Sequence, residues 1–233
     1  MLRTLCIMLI VQLSAFSNLS LAAMAKQQCA QYSDHFDTYN PERWHDVMLY
    51  SEGQADFAVK DGRLTIKSSQ DTPCEVQVYS LFIFDGDFDI QVDYDLTAGD
   101  KLQSCRFNAG LVLQTLGDEK SYKSYVAMTP NKGLFFRGRL DRYGEQNIEK
   151  HKGNPAPERG TIRITRKKGN IDYLALVDGK WRNIYEFNEP CNENLRVRLK
   201  LQTGGDEEEG QTCPVQVRFD NFLVNSCDNI VAE

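Results

Sequence analysis

The chain has 233 residues, of which 41% are hydrophobic, 26% charged and 10% aromatic, enough apolar material for one sizeable core. Acidic side chains outnumber basic ones by 33 to 27, and the formal charge of -6 at pH 7 opposes attraction to phosphate backbones, so nucleic acid is not an expected partner. After the first 25 residues no segment is apolar enough to read as a membrane span.

The chain opens on MLRTLCIMLIVQLSAFSNLSLAAMA, with Arg3 followed by an apolar run from Leu5 to about Phe16. That run is too short for a bilayer, and Ala23-Met24-Ala25 supplies an A-x-A cleavage site. The pattern predicts a signal peptide over 1–25 and a single exported domain over 26–233, secreted, periplasmic or extracellular; the alternative is an uncleaved anchor. Removing the leader removes Cys6 and leaves six cysteines, Cys29, Cys74, Cys105, Cys191, Cys213 and Cys227. An even number in an exported chain predicts disulfides, although six thiols allow many connectivities. No pair has C-x-x-C spacing, which disfavours zinc and thioredoxin-like redox chemistry.

From there the chain reads as strands separated by turns. GRLTIKSS, EVQVYSLFIF, FDIQVDYDL, FNAGLVLQT, SYVAMT, GLFFRGRL, TIRITRK, IDYLALV, WRNIYEF, LRVRLKLQT and VQVRFDNFLVN follow one another, rich in β-branched and aromatic residues. Many alternate with period two, and none shows a sustained apolar stripe at helical spacing, so the fold class is all-β. In GDFDIQVDYDL (86–96) the alternation puts Phe88, Ile90, Val92, Tyr94 and Leu96 on one face and Asp89, Gln91, Asp93 and Asp95 on the other. The segment 137–160 mixes Arg, Tyr, Asn, His and Pro and reads as a loop-rich edge. Over 161–187, Lys168-Gly169-Asn170 and Asp178-Gly179 separate three strands of an antiparallel meander, with Ile162, Ile164, Tyr173, Ala175 and Val177 on its buried side. The run DEEE (206–209) reads as a solvated loop.

The order of DHFDTYNPERW (34–44), VKDGRLTIKSS (59–69), GDFDIQVDYDL, the R-I-T-R…VDGKW meander and a closing VRFDNFLVNS (217–226) resembles a concanavalin A-like lectin/glucanase domain. The resemblance covers nearly all of the mature chain and lies in strand order more than in a catalytic signature. It implies a two-sheet antiparallel jelly-roll sandwich whose first and last strands lie side by side. Cys29 and Cys227 would then pair, leaving Cys74 with Cys105 and Cys191 with Cys213 as a local-loop solution. It also implies a structural calcium held by carbonyls and the final-strand carboxylate, here Asp220, with a carbonyl from Asp61-Gly62; a turn-forming Asp220 is the alternative. No other cofactor is expected.

In glucanases of this fold a central strand carries alternating acids, E-x-D-x-E or E-x-D-x-x-E, on the concave face. The comparable pattern here is Asp89-x-Gln91-x-Asp93-x-Asp95, without a glutamate. Carboxylates two positions apart could flank a sugar, but aspartate is one methylene shorter and no sequence feature raises one pKa for a general acid. Asp89, Asp93 and Asp95 are therefore the catalytic residues if the chain is an enzyme, and with Gln91 are otherwise ligand contacts or a plain solvated face. Arg137 and Arg139, with Arg142, could meet an acidic glycan through forked guanidinium groups, the favoured alternative being charged residues on an exposed strand and loop that need no ligand. Trp44, Trp181, Tyr122, Tyr125, Tyr143 and Tyr185 are candidates to stack on a pyranose, with Tyr143 and Trp181 retained as binding residues and Trp44 assigned to the core. His35, His45 and His151 have no metal-binding spacing, and G-x-S-x-G, P-loop and dinucleotide motifs are absent.

The leading expectation is an exported carbohydrate-binding or cell-surface recognition module without catalysis, its partner a glycan or cell-surface polysaccharide. The alternative is a glycoside hydrolase or other polysaccharide-cleaving enzyme using acids of the Asp89 to Asp95 strand. A third class is a structural envelope protein with no small ligand.

Overall fold

The computed structural model describes residues 28–51, 55–68, 73–98, 105–117, 119–143, 149–187, 189–204 and 212–232, with 46–51 and 149–152 described by their backbone alone. The leader at 1–25, with Cys6, and the acidic run at 206–209 lie outside the described residues. The strands are β1 (Trp44–Ser51), β2 (Ala55–Lys60), β3 (Arg63–Ser68), β4 (Cys74–Ala98), β5 (Phe107–Thr115), β6 (Lys120–Thr129), β7 (Gly133–Arg142), β8 (Glu149–Pro155), β9 (Arg159–Lys167), β10 (Asn170–Val177), β11 (Lys180–Phe187), β12 (Leu195–Thr203) and β13 (Val215–Ala232). Every pairing is antiparallel. The segment 137–160, expected to be loop-rich, instead contains the end of β7 and all of β8, whose polar EKHKGNP carries no period-two signal.

The length of β4 organises the sandwich. Its first half pairs with β1 and β12 and its second half with β9, while β13 runs beside it from Ala98 past the corner to Phe82. It therefore belongs to two layers: sheet I, with β1, β12, β5, β6, β7 and β8, and sheet II, with β2, β3, β13, β9, β10 and β11. The change of layer falls at Asp85-Gly86-Asp87, where Gly86 takes φ +83° and an added Cβ would lie 2.8 Å from Asp228. Only glycine fits that conformation and that contact. Arg166, 1% exposed, fixes the corner: its Nε donates to the Gly86 carbonyl at 2.5 Å, another guanidinium nitrogen donates to the Glu193 carbonyl at 2.5 Å, and its plane covers the Phe88 ring at 5.0 Å.

Between the layers lies one core. Phe88, Ile90, Val92, Tyr94 and Leu96 enter it from β4, Ile162 and Ile164 from β9, and Tyr173 and Ala175 from β10, as the alternation predicts; Val177 is only half-buried. Across the interface Tyr173 donates its hydroxyl to the Tyr125 carbonyl at 3.0 Å. The hairpins form where Lys168-Gly169 and Asp178-Gly179 adopt positive φ. At the other end Trp44 packs edge-on against Phe222 at 5.2 Å, and its indole N–H donates to Asp34 at 2.9 Å. Asp34 also exchanges two backbone hydrogen bonds with Phe222, tying the N-terminal segment to β13.

Cys29 and Cys227 are bonded, as the adjacency of first and last segments implied. The other expected pairs are not. Cys105 is bonded to Cys213, while Cys74 and Cys191 are free and buried. The register explains the correction. Cys74 lies opposite Thr203, which lies opposite Phe107 on its other side, so Cys74 is two strand spacings from the start of β5. Two spacings make about 9.5 Å, beyond the roughly 7 Å that a disulfide tolerates. Cys191 precedes β12 and Cys213 lies beyond its far end, about 26 Å away along an extended chain.

Candidate functional site

The acids of the 86–96 strand stand on the outer face of sheet II, and each has a partner. Asp89 receives Arg163 Nε at 2.7 Å and Asn225 Nδ2 at 3.1 Å, and Gln91 accepts from that same amide at 3.1 Å. Asp93 accepts from the Thr161 hydroxyl at 2.6 Å and from Asn221 Nδ2 at 2.9 Å. Asp95 is held between Arg63 at 3.1 Å and Arg159 at 3.0 Å. Trp181 joins this face through Arg163, whose guanidinium lies 5.0 Å from its ring centroid. A cleft of about 420 Å³ opens beside Asp93 and Asp95, with Arg63, Arg159, Arg218 and Asp220 on its walls.

Asp220 accepts from the Asn221 backbone N–H at 2.7 Å, and its other oxygen lies 3.9 Å from Arg63. Among the described residues no group of three or more His, Cys, Asp or Glu side chains gathers to hold a metal. Calcium takes six to eight oxygens, carbonyls among them; of the set that the resemblance implies, Asp220 is engaged by the Asn221 N–H and lies near the Arg63 guanidinium.

The sequence-derived candidates do not form one site. Arg137 and Arg139 lie on β7, in the other sheet, and Tyr143 stands 89% exposed just past the end of β7. Tyr122 and Trp44 are core, Tyr185 packs on Phe187 at 5.0 Å, and Arg142 pairs with Glu189.

The outer face of sheet I is built differently. Along β12, Leu195, Val197, Leu199 and Leu201 enter the core, so Arg196, Arg198 and Lys200 point out. The same alternation turns out Glu75 and Gln77 from β4, Asn108 from β5, Ser121, Lys123 and Tyr125 from β6, and Arg137, Arg139 and Asp141 from β7. The register aligns Gln77, Lys200, Gly110, Tyr125 and Arg137 in one row across five strands. Arg198, Val112, Lys123 and Arg139 form the next row. Gly110 places no side chain between Lys200 and Tyr125. Its φ of +154° brings a hypothetical Cβ to 2.3 Å from the Ser124 carbonyl oxygen, so the position admits glycine alone.

An outer sheet face is ordinarily wet, yet Lys200 is 3% exposed, Arg137 2% and Tyr125 1%. Lys200 pairs with Glu75 at 2.6 Å, Arg198 donates to Gln77 at 3.0 Å, Arg137 donates to Asn108 at 3.3 Å, and Lys123 and Arg139 both clamp Asp141. The buried Tyr125 hydroxyl has no hydrogen-bond partner among the described residues. Burial first, then the nearby Glu75 and Asp141 carboxylates, pushes its pKa well above the usual phenol value. Burial, reinforced by Lys123 and opposed by Glu75, pushes Lys200 down to about 8. Burial raises Asp141, but Lys123 and Arg139 outweigh it and hold the carboxyl below its ordinary range. Both carboxylates that the described residues place on this face, Glu75 and Asp141, are therefore salt-bridged.

Sequence reasoning reached Arg137, Arg139 and Tyr125 but missed Glu75, Gln77, Asn108, Lys123 and Lys200. The signal was present: the polar half of EVQVYS and LRVRLKLQT alternates as cleanly as that of GDFDIQVDYDL.

No model of a known protein family matches the sequence, and no curated protein matches it. Solved structures do match. One reported for endo-acting O-glycanases of the human gut microbiota has a TM-score of 0.65 at 14% identity, over 84% of this chain and 98% of that one. A β-glucanase of Bacillus licheniformis gives 0.56 at 12% identity, over 82% and 96%. The pseudo β-1,3-glucanase and immunostimulatory antigen of Mycobacterium tuberculosis gives 0.58 at 12% identity, over 84% and 98%. The fold is the concanavalin A-like jelly roll. Fold is what these similarities show, since one fold hosts many chemistries.

Proposed function

We propose that this jelly roll is an exported glycan-binding module whose sugar-contacting surface is the outer face of sheet I, and that it binds without cleaving. The observation that carries the reading is the row of buried polar side chains from Gln77 to Arg137 on a sheet face that no further strand layer covers among the described residues. The Gln77 and Asn108 amides are of the kind that recognises sugar hydroxyls. Cleavage of a glycosidic bond needs one carboxyl protonated and a second ionised across the bond. On this face Glu75 and Asp141 are both clamped by cations, and on sheet II Asp89, Asp93 and Asp95 are likewise engaged. Two disulfides support an oxidising compartment outside the cytosol.

The second reading is a polysaccharide-cleaving enzyme. It is favoured by the similar solved structures, several of which are named for glycanases or glucanases. A glycan array run beside a reducing-sugar release assay separates the two. Binding without release of reducing ends supports the module, release establishes the enzyme, and failure in both leaves the structural envelope role.

A further inference from the structure

Sheet II has a recess of its own. Where β2, β3 and β13 run side by side, Leu64, Ile66, Val217 and Phe219 enter the core, and the register sets Lys60 beside Arg63 and Thr65 beside Arg218 on the outer face. A cleft of about 350 Å³ lies over these four residues, with Asp61 and Gln216 completing its walls. It adjoins the cleft beside Asp93 and Asp95, since Arg63 and Arg218 line both. Water reaches these groups: the Arg63 side chain is 41% exposed and that of Arg159, on the far wall, 76%.

Arg218 is the residue left over. It stands opposite Asp95 across the β4–β13 pair, but one Asp95 oxygen already accepts from Arg63 at 3.1 Å and the other from Arg159 at 3.0 Å. Arg218 turns instead to a neutral group, its Nε and one Nη both reaching the Gln216 side-chain oxygen, at 3.0 and 3.1 Å. A guanidinium fork matches two acceptor oxygens, and here it has one, uncharged. Of the other acids lining the two clefts, Asp93 accepts from Thr161 and Asn221, Asp220 accepts from the Asn221 N–H, and Asp61 is exposed at the β2–β3 turn. Each guanidinium carries five N–H donors, and the hydrogen bonds just given use no more than two on any of the three. The recess therefore presents a surplus of donors.

We propose that this recess binds the terminal group of a phosphate or sulfate ester. Two of its three free oxygens replace the Gln216 amide on the Arg218 fork, and the third faces Arg63 and Lys60, with the Thr65 hydroxyl as a further donor. Three acceptor oxygens on one atom can be shared by cations from neighbouring strands, whereas a single fork uses up both oxygens of a planar carboxylate. The volume, at the low end of small-molecule sites, leaves room for the ring or chain that carries the ester. The recess lies on other strands than the candidate glycan face, so each assignment stands or falls alone.

The test is titration calorimetry with phenyl phosphate, phenyl sulfate and benzoate, which share a ring and differ in the anion, beside inorganic phosphate and sulfate. One of the two esters binds about tenfold more tightly than benzoate, its identity assigns the group as phosphate or sulfate, and the affinity falls as salt rises. Arg218→Gln and the exposed Lys60→Gln each weaken that binding about fivefold or more, while Arg182→Gln on β11, at the opposite edge of sheet II, leaves it unchanged. Melting curves show which variants keep the fold, and Lys60→Gln decides if Arg218→Gln does not. Equal binding of benzoate overturns recognition of a tetrahedral oxyanion, binding of the inorganic ions alone overturns the ester, and binding of none of these anions, or an equal loss in Arg182→Gln, removes the site.

Discussion

Burial of Lys200 lowers its ammonium pKa to about 8 even though Glu75 pulls the other way from 2.6 Å. The groups facing it are Glu75 from β4, Lys123 from β6 and Asp141 from β7. Because the folded value lies below that of the unfolded chain, the unfolded chain binds more protons between about pH 8 and 10.5, and stability rises with pH across that window. Native protein therefore gains stability relative to Lys200→Met as pH rises from 8 to 10, by about 1.4 kcal/mol for each unit separating the two pKa values. Denaturant titrations of both proteins measure this, and a pH-independent difference contradicts it. The acids of sheet II behave as a scaffold: Asp93→Asn keeps the Thr161 and Asn221 neighbours and changes stability by less than about 1 kcal/mol. Alternation alone revealed which way Asp89, Asp93 and Asp95 point. It said nothing of Arg163, Thr161 and Asn221, which arrive from strands 68 to 128 residues away in sequence and leave those carboxylates engaged.

β8 left no strand signal in the sequence, while β4 left two without their continuity. The halves of β4, EVQVYSLFIF and FDIQVDYDL, read as two strands, but nothing local says that one continuous strand changes layers at Asp85-Gly86-Asp87. The corner depends on Arg166, which donates to the Gly86 and Glu193 carbonyls. Arg166→Lys leaves one of those carbonyls without a donor and costs about 2 to 4 kcal/mol, a loss that denaturant unfolding detects. Gly110→Ala acts on the candidate face: its Cβ meets the Ser124 carbonyl, so β5 and β6 must part. Destabilisation of about 3 kcal/mol is expected, with weakened glycan binding because Lys200 and Tyr125 flank that position. The meander of β9, β10 and β11 was fully legible, since its turn residues and alternation are local properties. The register that aligns Lys200 with Tyr125 is a product of the sheet, not of any one strand.

At the scale of the molecule, the termini are joined by Cys29–Cys227 and the starts of β5 and β13 by Cys105–Cys213. The first pair followed from the strand order of the resembling fold. The second required the register of β12 against both neighbours. Peptide mapping without reduction recovers these two links, with Cys74 and Cys191 alkylated only after unfolding. Removing Cys29–Cys227 by paired serine substitution costs about 2 to 5 kcal/mol. The whole architecture leaves two outer faces with different chemistry: sheet II with its acids engaged, sheet I with a row of buried polar side chains. Hydrogen–deuterium exchange of the intact protein, with and without a saturating oligosaccharide drawn from the glycan array, asks directly which face meets sugar. Slowed exchange confined to β5, β6, β7 and β12 is the predicted result, and protection centred instead on the second half of β4 and on β9 contradicts the account.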